Sequence, residues 1–524
     1  MAPRDRARHG EQGFGWNGHA AGQHRGGAAR GRGDLATARE YYARALTLRD
    51  RIGDTRGTAA DHNNLGLLAQ RLGDVDEAQR HFDTALVLNR RDGRDDVAAT
   101  NLVNLAGLAS LAGDFSHAEA LYRDALATWR AHESWANAAV ALHGLGQLEL
   151  RRGDYPAART ALQEALAIYA GTGPVADELA VRRDLAGAEA AAGDLQGARD
   201  ELSHAQRRAD STRAPPTARA GIALARADLA LELNTLAEAQ RLYARAEGLY
   251  RLAAEPAGEA EAQEGRAVLL LARDDALHAQ PLLETALRTQ LGAGSVRAAA
   301  LTRVTLGRAV LARGDTAAAR GQLTRAAGEL DRGGDPVAAA AALGEWAALE
   351  AHAGAPIAAD SLYRAALDRL GDRIAPEIAW QLHAGWASVL RGQGATDAAA
   401  RELRSALSEL ARPSRSLVLP ERRSAFLADK WDVYAQLALV ERDRGRVGAA
   451  FEASERLRAR EMLELLARGR ITSPADTAED VVAREQDLRR RIGELTHDLD
   501  NADAADQTLR GPGVTLNTST TRES

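Results

Sequence analysis

One distance governs this sequence: short breaks centred on glycine recur every forty residues. Gly33, Gly73, Gly113, Gly153 and Gly193 stand at steps of forty, Asn234 follows after forty-one, and Asp274, Gly314, Gly354 and Gly394 resume steps of forty. Glycine accepts the left-handed conformation that ends a helix, and Asn and Asp approximate it. A period held over ten breaks argues against a single globular core, because a unit of this size buries its apolar face only against its neighbours. The chain therefore reads as a solenoid, although 524 residues would otherwise suggest roughly three or four domains.

After each break the same skeleton returns: Ala five residues on, a large apolar residue nine on, Ala twelve on. It appears as Ala78, Phe82 and Ala85, as Ala118, Tyr122 and Ala125, as Ala239, Tyr243 and Ala246, and as Ala359, Tyr363 and Ala366. Offsets of four and three place these residues on one face of a helix. A Leu-Gly or Leu-Ala pair lies upstream of several breaks, as in Leu65-Gly66, Leu105-Ala106 and Leu306-Gly307, and marks a preceding helix. A second break follows roughly twenty residues past each anchor, so each unit is two helices joined by tight turns. One irregularity stands out: GRAVLLLARDD from Gly265 and GRAVLARGD from Gly307 suggest that the first helix before Asp274 is displaced by two residues.

Composition agrees with helices alone. Residues are 45% hydrophobic but only 4% aromatic, Ala and Leu dominate, and runs of β-branched residues are few. The Leu-Gly pair, the Gly-Asp turn and the small–large–small spacing together resemble the tetratricopeptide repeat in its longer, forty-residue form. HEAT and armadillo arrays share the period but lack that spacing. The resemblance covers roughly residues 31–412 and implies an all-α, right-handed superhelical solenoid of about ten helix pairs. Its first unit is degraded, since GQHRGGAARGRGD is too rich in glycine for a good helix.

From Pro413 the register fails. Residues 413–470 read as an atypical helical pair closing the array, broken at Gly445 and striped by Trp431, Tyr434, Leu437, Phe451 and Leu457 among others. Residues 478–500 read as a coiled-coil-like connector on Val481, Leu488, Ile492, Leu495 and Leu499, with Glu485 interrupting the stripe, and self-association through it is expected. Residues 1–30 and 501–524 read as disordered tails. Ala450-Phe451-Glu452, Glu455-Arg456 and Arg458-Ala459-Arg460 are similar to the helix that closes the repeats of CHAT proteins ahead of their caspase-like protease domain. That resemblance carries over the recognition half of such a system and no catalysis, because a chain without cysteine lacks the His/Cys dyad.

Several function classes recede. Lys plus Arg number 67 against 73 Asp plus Glu, so no basic field directs the chain to nucleic acid. No apolar run approaches the roughly 20 residues of a membrane span, and the N-terminus lacks a secretory core, which suggests a cytoplasmic location. GFGWNG from Gly13 satisfies a dinucleotide-binding spacing but follows no strand. No catalytic, metal or cofactor site is expected.

What remains is recognition of a protein or peptide. In tetratricopeptide arrays the first helices line a concave groove, so by resemblance Asn64 and Asn104 become candidates to hold a ligand's backbone amide. Arg71, Arg151, Arg183 and Arg308 are candidates to face the same groove and meet acidic groups. Two other readings stay open: a non-catalytic remnant of a truncated protease, and the sensor arm of a transcription regulator. The second is disfavoured by the lack of a helix-turn-helix or nucleotide-binding segment.

Overall fold

The computed structural model describes residues 35–415 and 432–456. The tails 1–30 and 501–524, the connector 478–500 and part of the pair 413–470 lie outside the described residues. Among the described residues all regular structure is helical. Helix α1 (Leu35–Ile52) precedes nine hairpin pairs. These are α2 (Thr55–Leu72) with α3 (Val75–Arg91), α4 (Asp95–Leu111) with α5 (Phe115–Ala131), and α6 (Trp135–Arg152) with α7 (Tyr155–Thr172). Next come α8 (Val175–Ala191) with α9 (Leu195–Ser211), α10 (Pro216–Glu232) with α11 (Leu236–Leu252), and α12 (Pro256–Leu271) with α13 (Ala276–Gly292). The last are α14 (Val296–Ala312) with α15 (Thr316–Arg332), α16 (Pro336–His352) with α17 (Pro356–Leu370), and α18 (Pro376–Gly392) with α19 (Thr396–Arg415). Helix α20 (Asp432–Asp443) packs on α19 and α18, and Gly445, at φ 72°, separates it from a further helical stretch over 447–456.

The Gly-Asp dipeptide explains the turn inside each unit. Gly73 takes φ 79° and ends α2, and the Asp74 carboxylate accepts from the Glu77 backbone N–H at 3.0 Å to start α3. Asp114, Asp154, Asp194 and Asp315 cap their helices in the same way. Asn234 and Asp274 replace glycine at φ 56° and 59°. The small–large–small skeleton is the core: Ala78, Phe82 and Ala85 are buried, as are Ala118, Tyr122 and Ala125. The two alanines let neighbouring helices approach, and each large residue between them contributes roughly 1.5–3 kcal/mol by leaving water.

That large residue has two small neighbours. Phe82, Leu162 and Leu323 lie against Gly66, Gly146 and Gly307 of their own first helix. Tyr122, Tyr243 and Tyr363 instead lie against Gly144, Gly265 and Gly385 of the following first helix. Gly265 and Gly307 are therefore not equivalent, and the first helix before Asp274 is not displaced. The repeated GRAV is a coincidence of sequence.

Distant units also touch. Arg373 Nε donates to the Ala112 carbonyl at 2.8 Å across 261 residues. Gly73 lies against Val296, Gly113 against the Arg373 stem, and Gly334 against Val75. Turns of the early units thus rest on turns of the late ones, so the solenoid comes round to meet itself.

Candidate functional site

Direct contacts between successive units run through the first helices, which stand side by side, while each second helix packs on the first helix that follows. A polar residue at a fixed place on the first helix thereby meets its counterparts one unit on. Asn63 Oδ1 accepts from Asn101 Nδ2 at 3.0 Å and from Asn104 Nδ2 at 2.8 Å. Glu264 accepts from the Thr302 and Thr305 hydroxyls at 2.7 and 2.9 Å, the same register two hundred residues later. Asp184 bonds His143 at 2.7 Å and accepts from Gln147 at 2.6 Å. The wall made by the first helices is thus a polar surface whose side chains are held by their neighbours.

Asn64 sits in this wall at only 7% exposure, and its side chain makes no hydrogen bond with any described residue. Asn104 is half-buried and spends its amide N–H on Asn63. Arg71 is exposed and unpaired among the described residues. Arg183 Nε pairs with Asp184 Oδ1 at 2.8 Å, and Arg308 pairs with Glu345. Burial opposes the charge on Asp184, yet the bond from His143 and the Arg183 guanidinium hold its carboxyl well below the usual range. Arg151 stands apart at the end of α6, where burial lowers its pKa and Asp335 and Arg297 of the late units are its charged neighbours.

The main cleft of the wall, about 910 Å³, opens beside α10, α12 and α14. Asp228, Glu232, Glu255, Glu261 and Glu264 line it, with Leu224 and Val268 as apolar floor. An adjoining cleft of about 570 Å³ shares Asp228, Glu232 and Glu261 and reaches Arg183. Asp228 and Glu261 reach solvent, but the concave surface crowds them with protein atoms, and this desolvation pushes both carboxyls above the ordinary range. Tyr243, threaded past Gly265, donates its hydroxyl to Asp228 at 2.7 Å. Sequence reasoning missed this cleft. A signal existed: thirteen residues before the break, Glu261 is the one charged residue where other units carry Ala60, Thr100, Val140, Ala180 or Leu301.

The tetratricopeptide repeat model matches residues 19–91, 59–131 and 96–171, so such repeats are present in this part of the chain. No curated protein matches the sequence. Among solved structures, the chain is similar to a Rap protein complexed with competence and sporulation factor, at 14% identity and TM-score 0.47, over 70% of this chain and 98% of that one. It is also similar to a signal transduction ATPase with a tetratricopeptide repeat sensor from Pyrococcus horikoshii, at 14% identity and TM-score 0.41, over 71% and 55%. BtubC from P. vanneervenii aligns at 17% identity and TM-score 0.35, over 42% and 90%.

Proposed function

We propose that the chain is a recognition scaffold that holds a protein or peptide segment along the wall of its first helices. The observation that carries this is the wall itself: in three separate units a polar side chain of the first helix, Asn63, His143 or Glu264, is held by the first helix of the next unit. Such pre-ordered donors and acceptors bind an extended segment without having to be ordered first. Asn64, with an unengaged amide, and Asn104, with an unengaged carbonyl, supply the two-pointed contact to its backbone, and Arg71, Arg151, Arg183 and Arg308 supply the charged margin. The similarity of Ala450-Phe451-Glu452 and Glu455-Arg456 to the closing helix of CHAT repeat regions supports a finer assignment, the recognition half of a CHAT-type system.

The test is capture of partners by the full chain, read by mass spectrometry and then by affinity for the recovered partner. Asn64→Ala with Asn104→Ala is expected to weaken binding, each lost bond to a desolvated amide costing about 1–3 kcal/mol. Gln79→Ala with Asp83→Ala, both exposed on α3, should leave it intact. Equal affinities for the two double variants would remove the asparagines from the site.

A further inference from the structure

Four carboxylates of the main cleft lack a directly paired cation, although the Arg183 guanidinium acts on Glu261 from a distance. Asp228, Glu255, Glu261 and Glu264 make no ion pair with any described residue, and Glu261 makes no hydrogen bond either. Two other charges of the same wall are paired, Arg183 with Asp184 and Arg308 with Glu345. The positive groups that border the cleft are committed: Arg183 to Asp184, and Arg297 Nε to Asp335 at 2.7 Å.

A second observation points the same way. Gln290 lines the cleft at 3% exposure, and its Oε1 has no hydrogen-bond partner. It occupies, sixteen residues past the break, the place filled by Trp129, Tyr169, Tyr250 and Leu330 in other units. Two units also carry a polar residue there, and in both the next first helix answers it: Arg49 pairs with Asp61 at 2.7 Å, and Asn89 donates to Asn101 at 2.8 Å. The residue equivalent to Asp61 and Asn101 is Thr302, whose hydroxyl is turned to Glu264. Gln290 is thus an acceptor left open beside unpaired carboxylates, and a buried acceptor without a donor is unfavourable.

Resting on the groove reading above, we infer that this cleft receives a basic side chain of the bound segment, its guanidinium meeting Glu261, Asp228 and Gln290 Oε1. An arginine brings five donors and no acceptor, which suits a site made of acceptors. Its stem lies on Val268, which is exposed beside the charges, with buried Leu224 beneath the cleft. A metal ion does not fit, since no three acidic or histidine side chains among the described residues converge on one point. Desolvation raises the pKa of Asp228 and Glu261, a strain that a counter-cation relieves.

The test measures fluorescence anisotropy of the full chain with a labelled peptide Ala-Arg-Ala-Arg-Ala, and with the same peptide carrying Glu for Arg. The basic peptide is expected to bind and the acidic one not. Glu261→Gln combined with Gln290→Leu, the latter supplying the apolar residue of Leu330, should raise the dissociation constant about tenfold or more, whereas Asp76→Asn on the exposed surface of α3 should change it less than about twofold. Equal loss in both variants would mean a diffuse negative field and overturn the site. Preference for the acidic peptide, or binding of neither, would overturn the ligand class. Both results would leave the groove itself to be judged by the asparagine variants.

Discussion

His62 on α2 and His81 on α3 meet with their Nδ1 atoms 2.8 Å apart, so one ring donates and the other accepts. Burial lowers the pKa of both; each is further lowered by a neighbouring positive group, His81 for the one and Arg39 and Arg80 for the other, while Asp50 and Glu77 act in the opposite sense. With folded values below the ordinary 6.5, the unfolded chain takes up protons first. The pair's contribution is therefore complete above about pH 6.5 and is lost as the pH falls through the folded values. We expect the urea midpoint of the first units to fall between pH 7.5 and 5, and His62→Leu with His81→Leu to flatten that dependence. The double variant copies Leu102 and Leu121, which hold the same two places one unit on. In most units residues at these places, nineteen apart, match in kind: Arg182 pairs with Glu201 at 2.6 Å, and His383 with Glu402 at 2.7 Å, while Gln263 opposite Leu282 is an exception. That agreement was legible in the sequence once the register was known, since burying a polar group opposite an apolar one leaves it without a partner there.

At the scale of the helix pair, the tyrosine that crosses to the next unit sets a requirement for glycine. A Cβ on Gly265 would stand 2.3 Å from Tyr243 Cε1, so Gly265→Ala pushes the ring away and breaks its bond to Asp228. Overpacking of this kind costs about 1–3 kcal/mol, seen as a lower denaturation midpoint. Gly248→Ala on α11, where a Cβ meets nothing within 4 Å, should instead stabilise by about 0.5–1 kcal/mol through helix propensity. Equal effects would show that Tyr243 is not confined. The helices, their turns and the alanine core were readable because each follows from a local pattern repeated many times. The acidic cleft was not, because Asp228, Glu261, Glu264 and Gln290 belong to two different helix pairs and to four different places in the repeat. Averaging over units hides such residues, and only departures from the average reveal them.

The contact between early and late units lies beyond any repeat-level reading, since a period of forty carries no information about which distant turns will meet. Its traces are in the turns between units. Glu133, Arg213 and Ala254 hold the left-handed conformation there at φ 54°, 50° and 52°, so this backbone does not by itself demand glycine. At Gly334, φ 66°, a Cβ would stand 2.9 Å from Val75 Cγ2, and the demand comes from the neighbour. Together with the bond from Arg373 to Ala112, this contact limits how far the groove can open. Arg373→Ala with Gly334→Glu removes both links while using a residue that the equivalent turn accepts at Glu133. The chain contains no cysteine, so spin labels at Asp76→Cys and Arg332→Cys, both exposed, report the separation of α3 and α15 without background. The unaltered contact should give a short, narrow distance distribution. The double variant should give a longer and broader one at unchanged helical circular dichroism, because the contacts within each pair are untouched. An unchanged distribution would mean that the curvature is set within the units and that Arg373 and Gly334 merely follow it.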